Sequence, residues 1–253
     1  MSAIISFANQ KGGVGKTTSA VNVAAALGKK GKNVLLIDMD PQGNATSGVG
    51  ISKKNIKYSI YEVLLGQASA KDAIIPTKFK NLSVLPATIA LAGAELDLNE
   101  MDDKGRGMVK AIEDIKNDYD YLIIDCPPTL GLLTINALSA SDGVIIPMQC
   151  EFFSLEGLSQ LILTIKRVRQ SYNPTLEITG ILLTMYNGRL VLTNQVIEEL
   201  KKYYADKLFK TPITRSVKLS EAPSFGEPIC YYDPYSKGSL EYNDIAKELM
   251  LRI

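Results

Sequence analysis

The most regular pattern along the chain is a series of short, continuous apolar runs, each bounded by polar or turn-forming residues. In these runs the apolar residues are consecutive rather than alternating, which is typical of parallel strands covered by helices on both faces. Six runs are predicted to be β-strands: Ala3–Ala8, Asn33–Asp38, Leu82–Pro86, Tyr121–Asp125, Val144–Pro147 and Ile178–Thr184.

Segments with a helical spacing of apolar residues separate most of these runs. The repeated alternation of strands and helices predicts an α/β fold with a doubly wound, mostly parallel sheet and helices on both faces. No linker or repeat divides the chain, so residues 1–253 are expected to form a single domain. The least regular stretches are Gly43–Tyr58 and Phe209–Tyr235. The predicted helices are Thr17–Lys29, Ile60–Leu65, Gly107–Asn117, Leu132–Ser139, Leu155–Gln170, Leu192–Tyr204 and Leu240–Leu251.

Composition excludes several kinds of chemistry. The absence of histidine removes His-based triads, general bases and metal sites. The 28 basic and 27 acidic side chains nearly balance, so binding to a polyanion would require a local patch. Cys126, Cys150 and Cys230 are far apart and are expected to be buried, reduced thiols of a cytosolic protein. The chain shows neither a signal peptide nor an apolar run long enough to span a membrane.

A glycine-rich segment between the first predicted strand and the first predicted helix is the strongest chemical signal. In this context glycines let backbone N–H groups approach phosphates closely, and the helix N-terminus adds the positive end of a dipole. Lys16 is expected to reach the β- and γ-phosphates, and the Thr17 hydroxyl to ligate Mg²⁺. The common pattern would place a glycine where this chain has Gln10. The segment consists of Lys11, Gly12, Gly13, Val14, Gly15, Lys16, Thr17 and Thr18.

Two further strands end in acidic residues. Asp38 and Asp40 end the second strand, and at the ligand-binding edge of such a sheet an acid can orient a water molecule or hold Mg²⁺ through water. An ordinary turn at Asp40-Pro41 is the alternative interpretation, which the nearby phosphate loop makes less favourable. Asp125 follows an apolar strand in the Walker B arrangement, which directs a carboxylate toward the water shell of the metal. Its alternative role is that of a helix-capping acid.

These three motifs, in this order and spacing, resemble the ParA/MinD family of P-loop ATPases with a deviant Walker A motif. The resemblance covers essentially the whole chain and is greatest to the ParA/Soj branch, whose members partition DNA. It rests on Lys11–Thr18, Asp38–Gly48, Asp125–Gly131 and Leu219–Gly226.

The resemblance implies roles for individual residues. ATP and Mg²⁺ would be the cofactors, and ATP would join two copies of the chain into a homodimer. Lys11 would be the signature lysine that reaches the partner's nucleotide, Asp40 would orient the hydrolytic water, and Asp125 would be the Walker B acid. The segment that brackets adenine usually contains Pro-Arg-Asn, whereas this chain has Thr214 and Ser216 on either side of an arginine.

The resemblance also implies partners. Dimers of this branch bind double-stranded DNA without sequence preference, and Arg189 and Lys218 fall where DNA-binding residues occur. A ParB-like centromere-binding protein would stimulate hydrolysis, and the protein would be cytoplasmic and associated with the nucleoid. Four more lysines could extend the basic patch, although each could equally be a solvated surface charge: Lys201, Lys202, Lys207 and Lys210.

Three other functions are alternatives to DNA partitioning. A MinD-like ATPase that cycles on a membrane would need a basic amphipathic C-terminal helix. Instead Leu240, Ile245, Leu249 and Ile253 have the spacing of a buried stripe, so no membrane partner is expected. An electron carrier would need paired cluster cysteines, and a metabolic ligase would need a substrate pocket; the sequence shows neither.

Overall fold

Parallel pairing builds the central sheet of the computed structural model, which describes residues 2–253. The strand order is β3-β4-β2-β5-β1-β6-β7, and every pairing is parallel except that between β3 and β4. The predicted α/β class and mostly parallel sheet are therefore confirmed. The strands are β1 (Ala3–Phe7), β2 (Val34–Asp38), β3 (Ile75–Pro76), β4 (Leu82–Leu85), β5 (Tyr121–Asp125), β6 (Gly143–Gln149) and β7 (Glu177–Thr184).

Helices cover both faces of this sheet. They are α1 (Lys16–Lys29), α2 (Asn44–Gly48), α3 (Ile60–Leu64), α4 (Ala70–Ala73), α5 (Ala94–Asn99), α6 (Gly107–Ile112), α7 (Leu132–Ser139), α8 (Phe152–Ser171), α9 (Val191–Tyr204), α10 (Val217–Glu221), α11 (Ile229–Tyr232) and α12 (Lys237–Arg252).

Consecutive strand residues contribute to different cores. In β2, Leu35 packs in the core beneath α3 and α5 to α9, whereas Leu36 packs in the core that α1 and α12 cover. The same alternation occurs at Ile123 and Ile124 in β5. Because both faces of each central strand are buried, both sets of positions must be apolar, which explains the continuous runs in the sequence.

Several predicted elements differ from the structure. The helix predicted over Gly107–Asn117 ends at Ile112, and a 3₁₀ turn follows at Lys116–Asp118. Asn and Asp side chains compete with the helix for backbone hydrogen bonds, which favours this early end. Strand β3 was not predicted because it has two residues, one of them Pro76, which only an edge strand accommodates. The stretches expected to be irregular contain α2, α10 and α11, which are too short to show a period.

The apolar stripe expected in the last helix is only half correct. Ile245 and Leu249 are buried in the core shared with α1. Leu240 and Ile253 are each 54% exposed. Leu240 lies between the buried residues Ser239 and Glu241 and is therefore on the solvent side of the helix, and Ile253 follows the last helical residue.

Two expectations about the surface can be compared directly with the structure. Among residues 2–253, no helix has both the length and the apolar character needed to cross a bilayer. Cys126 and Cys230 are buried free thiols as expected, but Cys150 is only half-buried, which corrects the prediction that all three are buried. Burial raises the pKa of Cys126 to about 12 and that of Cys150 to about 11.

Candidate functional site

The glycine-rich loop connects β1 to α1 at the carboxyl edge of the sheet. Gly13 and Gly15 have φ angles of 71° and 82°, in a region that side chains with a Cβ rarely adopt. The loop is held from outside by β6 and β7: Gln149 donates to the carbonyl of Gly13 at 2.9 Å, and Thr184 donates to the carbonyl of Val14 at 2.8 Å. The loop is therefore preformed, with α1 starting immediately after Gly15.

Lys16 turns its side chain back over this loop. Its Nζ donates to the carbonyl oxygen of Lys11 at 3.0 Å, and the residue is only 5% exposed. Burial lowers the pKa of the ammonium group, while the negative potential of Asp125 partly offsets that effect. A buried cation in the mouth of a loop of backbone N–H groups is suited to binding an anion.

Lys11 points away from the loop toward the start of α8. Its Nζ donates to the carboxylate of Glu151, which follows β6, and both side chains are substantially exposed. Its backbone N–H donates to Asn9 Oδ1 at 3.0 Å. In this structure the ammonium group is thus held by an acid of the same chain and is accessible from solvent.

Asp38 organises the turn that carries Asp40. The carboxylate of Asp38 accepts from the backbone N–H and the hydroxyl of Thr46, at 2.8 and 2.7 Å, and from the backbone N–H of Asp40 at 3.2 Å. Asp40 is 8% exposed and accepts from the Gln42 N–H at 2.9 Å. The carboxylate of Asp38 is occupied by these three hydrogen bonds within the turn, whereas the carboxylate of Asp40 can still accept further hydrogen bonds.

Asp125 ends β5 and is completely buried. Neither of its carboxylate oxygens has a hydrogen-bond partner within the described part of the chain. Burial, reinforced by the charge of Asp38, raises its pKa well above the usual range, and the nearby Thr17 hydroxyl and Lys16 ammonium offset only part of the rise. A buried carboxylate with two free acceptors beside a cation and a hydroxyl fits a site for a hydrated divalent metal.

Thr214 and Ser216 line a cavity next to the loop. The cavity has a volume of about 220 Å³, and its other walls include Gly15 and Thr18. Thr214 and Ser216 are therefore near the glycine loop, although they follow it by about 200 positions in the sequence. The structure brings the predicted phosphate and base segments together around one space.

Arg189 and Lys218 are exposed on neighbouring segments. Tyr186 and Thr214 form an isolated parallel bridge, which sets the loop after β7 beside the segment that leads into α10. No ion pair involves Arg189 among residues 2–253, whereas Lys218 is 3.4 Å from Glu221. Of the four additional lysines, Lys202 pairs with Glu199 at 2.6 Å and Lys207 lies 3.9 Å from Asp206, while Lys201 and Lys210 form no ion pair within that range.

Three contacts of the loop were not anticipated from the sequence. They involve Gln149, Glu151 and Thr184, which end or follow β6 and β7. Ligands of open α/β sheets bind outside the carboxyl ends of the strands, so the residues at these two strand ends were the available signal.

The fold and the loop together define a P-loop nucleotide-binding protein. A family described as AAA domain matches residues 2–178. Over 249 residues the chain is 55% identical to "Sporulation initiation inhibitor protein Soj" of Bacillus subtilis, covering 98% of both chains. It is 50% identical to "Chromosome partitioning protein ParA" of Myxococcus xanthus, covering 98% of this chain and 88% of that protein.

Solved structures agree with this class. The crystal structure of cobyrinic acid a,c-diamide synthase from Mycobacterium smegmatis with bound ADP and magnesium superposes on this chain with a TM-score of 0.87. The two chains are 36% identical, and the match covers 99% of this chain and 94% of that one. This chain belongs to the ParA/Soj branch of the ParA/MinD family of ATPases, as its motifs indicate. The resemblance predicted from the sequence is confirmed.

Proposed function

We propose that this ATPase partitions DNA by switching between a free state and an ATP-bound homodimer that binds DNA. The observation that carries the proposal is the fully buried Asp125, whose two oxygens lack partners beside Lys16 and Thr17. A carboxylate in that state needs a cation, and the preformed loop next to it needs an anion. Nucleotide with Mg²⁺ satisfies both requirements at once.

ATP and Mg²⁺ fit the residues on this edge of the sheet. Backbone N–H groups of Gly12–Thr18 surround the phosphates, Lys16 neutralises the β- and γ-phosphates, and Thr17 provides a hydroxyl ligand. Asp125 and Asp40 would accept hydrogen bonds from the water molecules of the metal. When bound, Mg²⁺ supplies positive charge that stabilises the phosphate oxygens during transfer. The cavity lined by Thr214 and Ser216 takes the adenine.

Hydrolysis and dimerisation use the same edge. Asp40 orients the attacking water, because it retains acceptor capacity while Asp38 fixes its backbone. Lys11 leaves Glu151 and reaches the phosphates of the partner's nucleotide. There its ammonium group acts like an arginine finger. Two nucleotides then lie in a two-fold interface, so hydrolysis weakens the dimer.

DNA binding follows from dimerisation. Each protomer adds Arg189 and Lys218, and phosphate contacts strengthen binding steeply as their number increases. A protein of nearly balanced charge can thus bind DNA as a dimer and release it as a monomer. These contacts go to the backbone, so no sequence preference results.

A ParB-like protein bound to a centromere is the partner that accelerates hydrolysis in this scheme. The protein would leave DNA near that partner and rebind elsewhere. In this scheme it is a cytoplasmic protein that associates with the nucleoid. The relative named for chromosome partitioning is 50% identical to this chain, against 36% for the synthase, which favours partitioning over a metabolic reaction.

A DNA-binding assay tests the proposal. The full chain is mixed with random-sequence DNA and Mg²⁺, with ATP, with ADP or without nucleotide, at several salt concentrations. We expect a salt-sensitive shift that requires ATP, is lost in Lys16→Ala and is kept in Lys166→Ala, an exposed-lysine control. Binding of anionic lipid vesicles without binding of DNA would instead favour a MinD-like function, and ATP binding without either would contradict partitioning.

A further inference from the structure

Glu241 in α12 accepts hydrogen bonds from both the backbone N–H and the hydroxyl of Thr214, which lines the cavity next to the glycine-rich loop. One carboxylate accepts the Thr214 backbone N–H at 3.0 Å and the Thr214 hydroxyl at 2.9 Å. Glu241 is 7% exposed, and its ion-pair partner Lys237 lies at 3.8 Å. This arrangement joins the last helix of the fold to a wall of the cavity.

The direction of the hydroxyl bond limits what Thr214 can offer to a ligand. A carboxylate only accepts hydrogen bonds, so the single hydroxyl proton of Thr214 must point toward Glu241. A ligand that reaches this oxygen therefore meets lone pairs and no proton. Thr214 is therefore an acceptor for a base and not a donor.

The other contacts of α12 hold this geometry in place. Tyr242, the next residue, shares a hydrogen bond of 3.1 Å with Ser19 in α1 and also lines the cavity. Gly238 packs so closely against Leu219, another lining residue, that a Cβ there would lie 3.0 Å from the Leu219 side chain. Helix α12 thus contacts the lining residues Thr214 and Leu219 and contributes Tyr242 to the wall of the cavity, which keeps the Thr214 oxygen in a defined position.

We infer that Glu241 is a positioning residue that gives this cavity its selectivity for the nucleobase. A lone pair at Thr214 matches the amino group on C6 of adenine and opposes the carbonyl oxygen on C6 of guanine. The inference rests on the proposed function, because it assumes that this cavity receives the base of the bound nucleotide. The inference adds to that site Glu241, which lies outside the cavity, and the direction in which the Thr214 hydroxyl proton points.

Two nearly isosteric substitutions separate this role from general support of the fold. Thr214→Val removes the acceptor but keeps the backbone N–H bond to Glu241. Glu241→Gln replaces the obligate acceptor with an amide that can donate, so the Thr214 hydroxyl can turn its proton into the cavity. Asp244→Asn is the matched control, since it makes the same carboxyl-to-amide change on an exposed position of α12.

The experiment measures binding of ATP and of GTP, each with Mg²⁺, to the full-length protein by calorimetry, alongside the melting temperature of each variant. We expect the unaltered protein to prefer ATP. Thr214→Val should bind ATP about fivefold more weakly and GTP somewhat more tightly, because the lone pair that opposes guanine is removed, whereas Glu241→Gln should bind GTP about fivefold more tightly. Asp244→Asn should match the unaltered protein for both nucleotides.

Other results overturn the inference in distinguishable ways. Equal weakening of ATP and GTP in both variants would assign Glu241 a structural role only. An unaltered protein that binds both nucleotides equally would remove the selectivity itself, while leaving the proposed ATPase intact. Binding of neither nucleotide would contradict the proposed function, and the inference with it.

Discussion

Asp38 and Asp125 lie directly opposite each other in the register of β2 and β5, and both side chains are completely buried. Burial disfavours the ionised form of each carboxyl group, and the charge of Asp38 adds to this effect at Asp125. The pKa of Asp38 is raised to about 6, and that of Asp125 is raised well above its usual range, in both cases chiefly by burial. Without a bound metal ion, this edge of the sheet is a source of instability at neutral pH.

The first prediction concerns stability without nucleotide. A raised folded-state pKa means that the folded protein binds protons more tightly than the unfolded chain. The pair therefore costs nothing below about pH 4 and destabilises the fold increasingly as the pH rises through about 6 and beyond. Asp125→Asn removes one charge and should raise the free energy of unfolding by roughly 2 kcal/mol at pH 8, with little gain at pH 4. Urea unfolding at both values measures this difference.

The control for that measurement is Asp114→Asn, which neutralises an exposed acid and should change neither value appreciably. If Asp125→Asn were as unstable as the unaltered protein at pH 8, the two carboxylates would not be in conflict. Asp125→Asn should also no longer be stabilised by ATP with Mg²⁺, because the substitution removes a carboxylate of the proposed metal site.

The second prediction separates ATP binding from hydrolysis. Asp40→Ala should keep ATP binding, because the loop, Lys16 and Thr17 are unchanged, and should lose most of the ATPase activity. The ATP-bound dimer would then persist on DNA, and size-exclusion chromatography with ATP should show a dimer where the unaltered protein reverts to monomer. A variant that stays monomeric with ATP would show that Asp40 has a role in assembly rather than in hydrolysis.

Much of this site could be predicted because it is local in sequence. The glycine loop joins a strand to the helix that follows, and Asp38 and Asp125 each end a recognisable strand, so the sheet edge brings them together. The pairing of Lys11 with Glu151 spans 140 positions, and that of Thr214 with Glu241 spans 27. Such contacts depend on which strands are neighbours and on how α12 packs, and hydrophobic periodicity specifies neither.

The third prediction follows from the pairing of Lys11 with Glu151. If Lys11 acts on the partner's nucleotide, Glu151 competes for it within the same chain. Glu151→Gln should then strengthen ATP-dependent dimerisation by a factor of about 2–5, as expected for release of an exposed ion pair. Analytical ultracentrifugation with ATP measures the effect, and Glu156→Gln, at an exposed acid in α8 shortly after Glu151, serves as control. Weaker dimerisation in Glu151→Gln would mean that Glu151 itself contributes to the interface.

The last prediction uses the different surroundings of the two DNA-binding candidates. Arg189 is without an ion pair among residues 2–253, so Arg189→Ala should remove one phosphate contact per protomer and lower the slope of log affinity against log salt by about 2 for a dimer. Lys218 is partly neutralised by Glu221, so Lys218→Ala should cost less at low salt.

Glu221→Gln should have the opposite effect, because it frees Lys218 and removes a negative charge from the same surface. DNA affinity should rise by a factor of about 2–5 at low salt, and the gain should diminish as salt screens the charges. Fluorescence anisotropy with random-sequence DNA and ATP measures all three variants, with Arg106→Ala on an exposed position beside α6 as the charge-matched control. If Arg106→Ala weakened binding as much as Arg189→Ala, the DNA would respond to net charge and not to a surface formed by the segment after β7 and by α10.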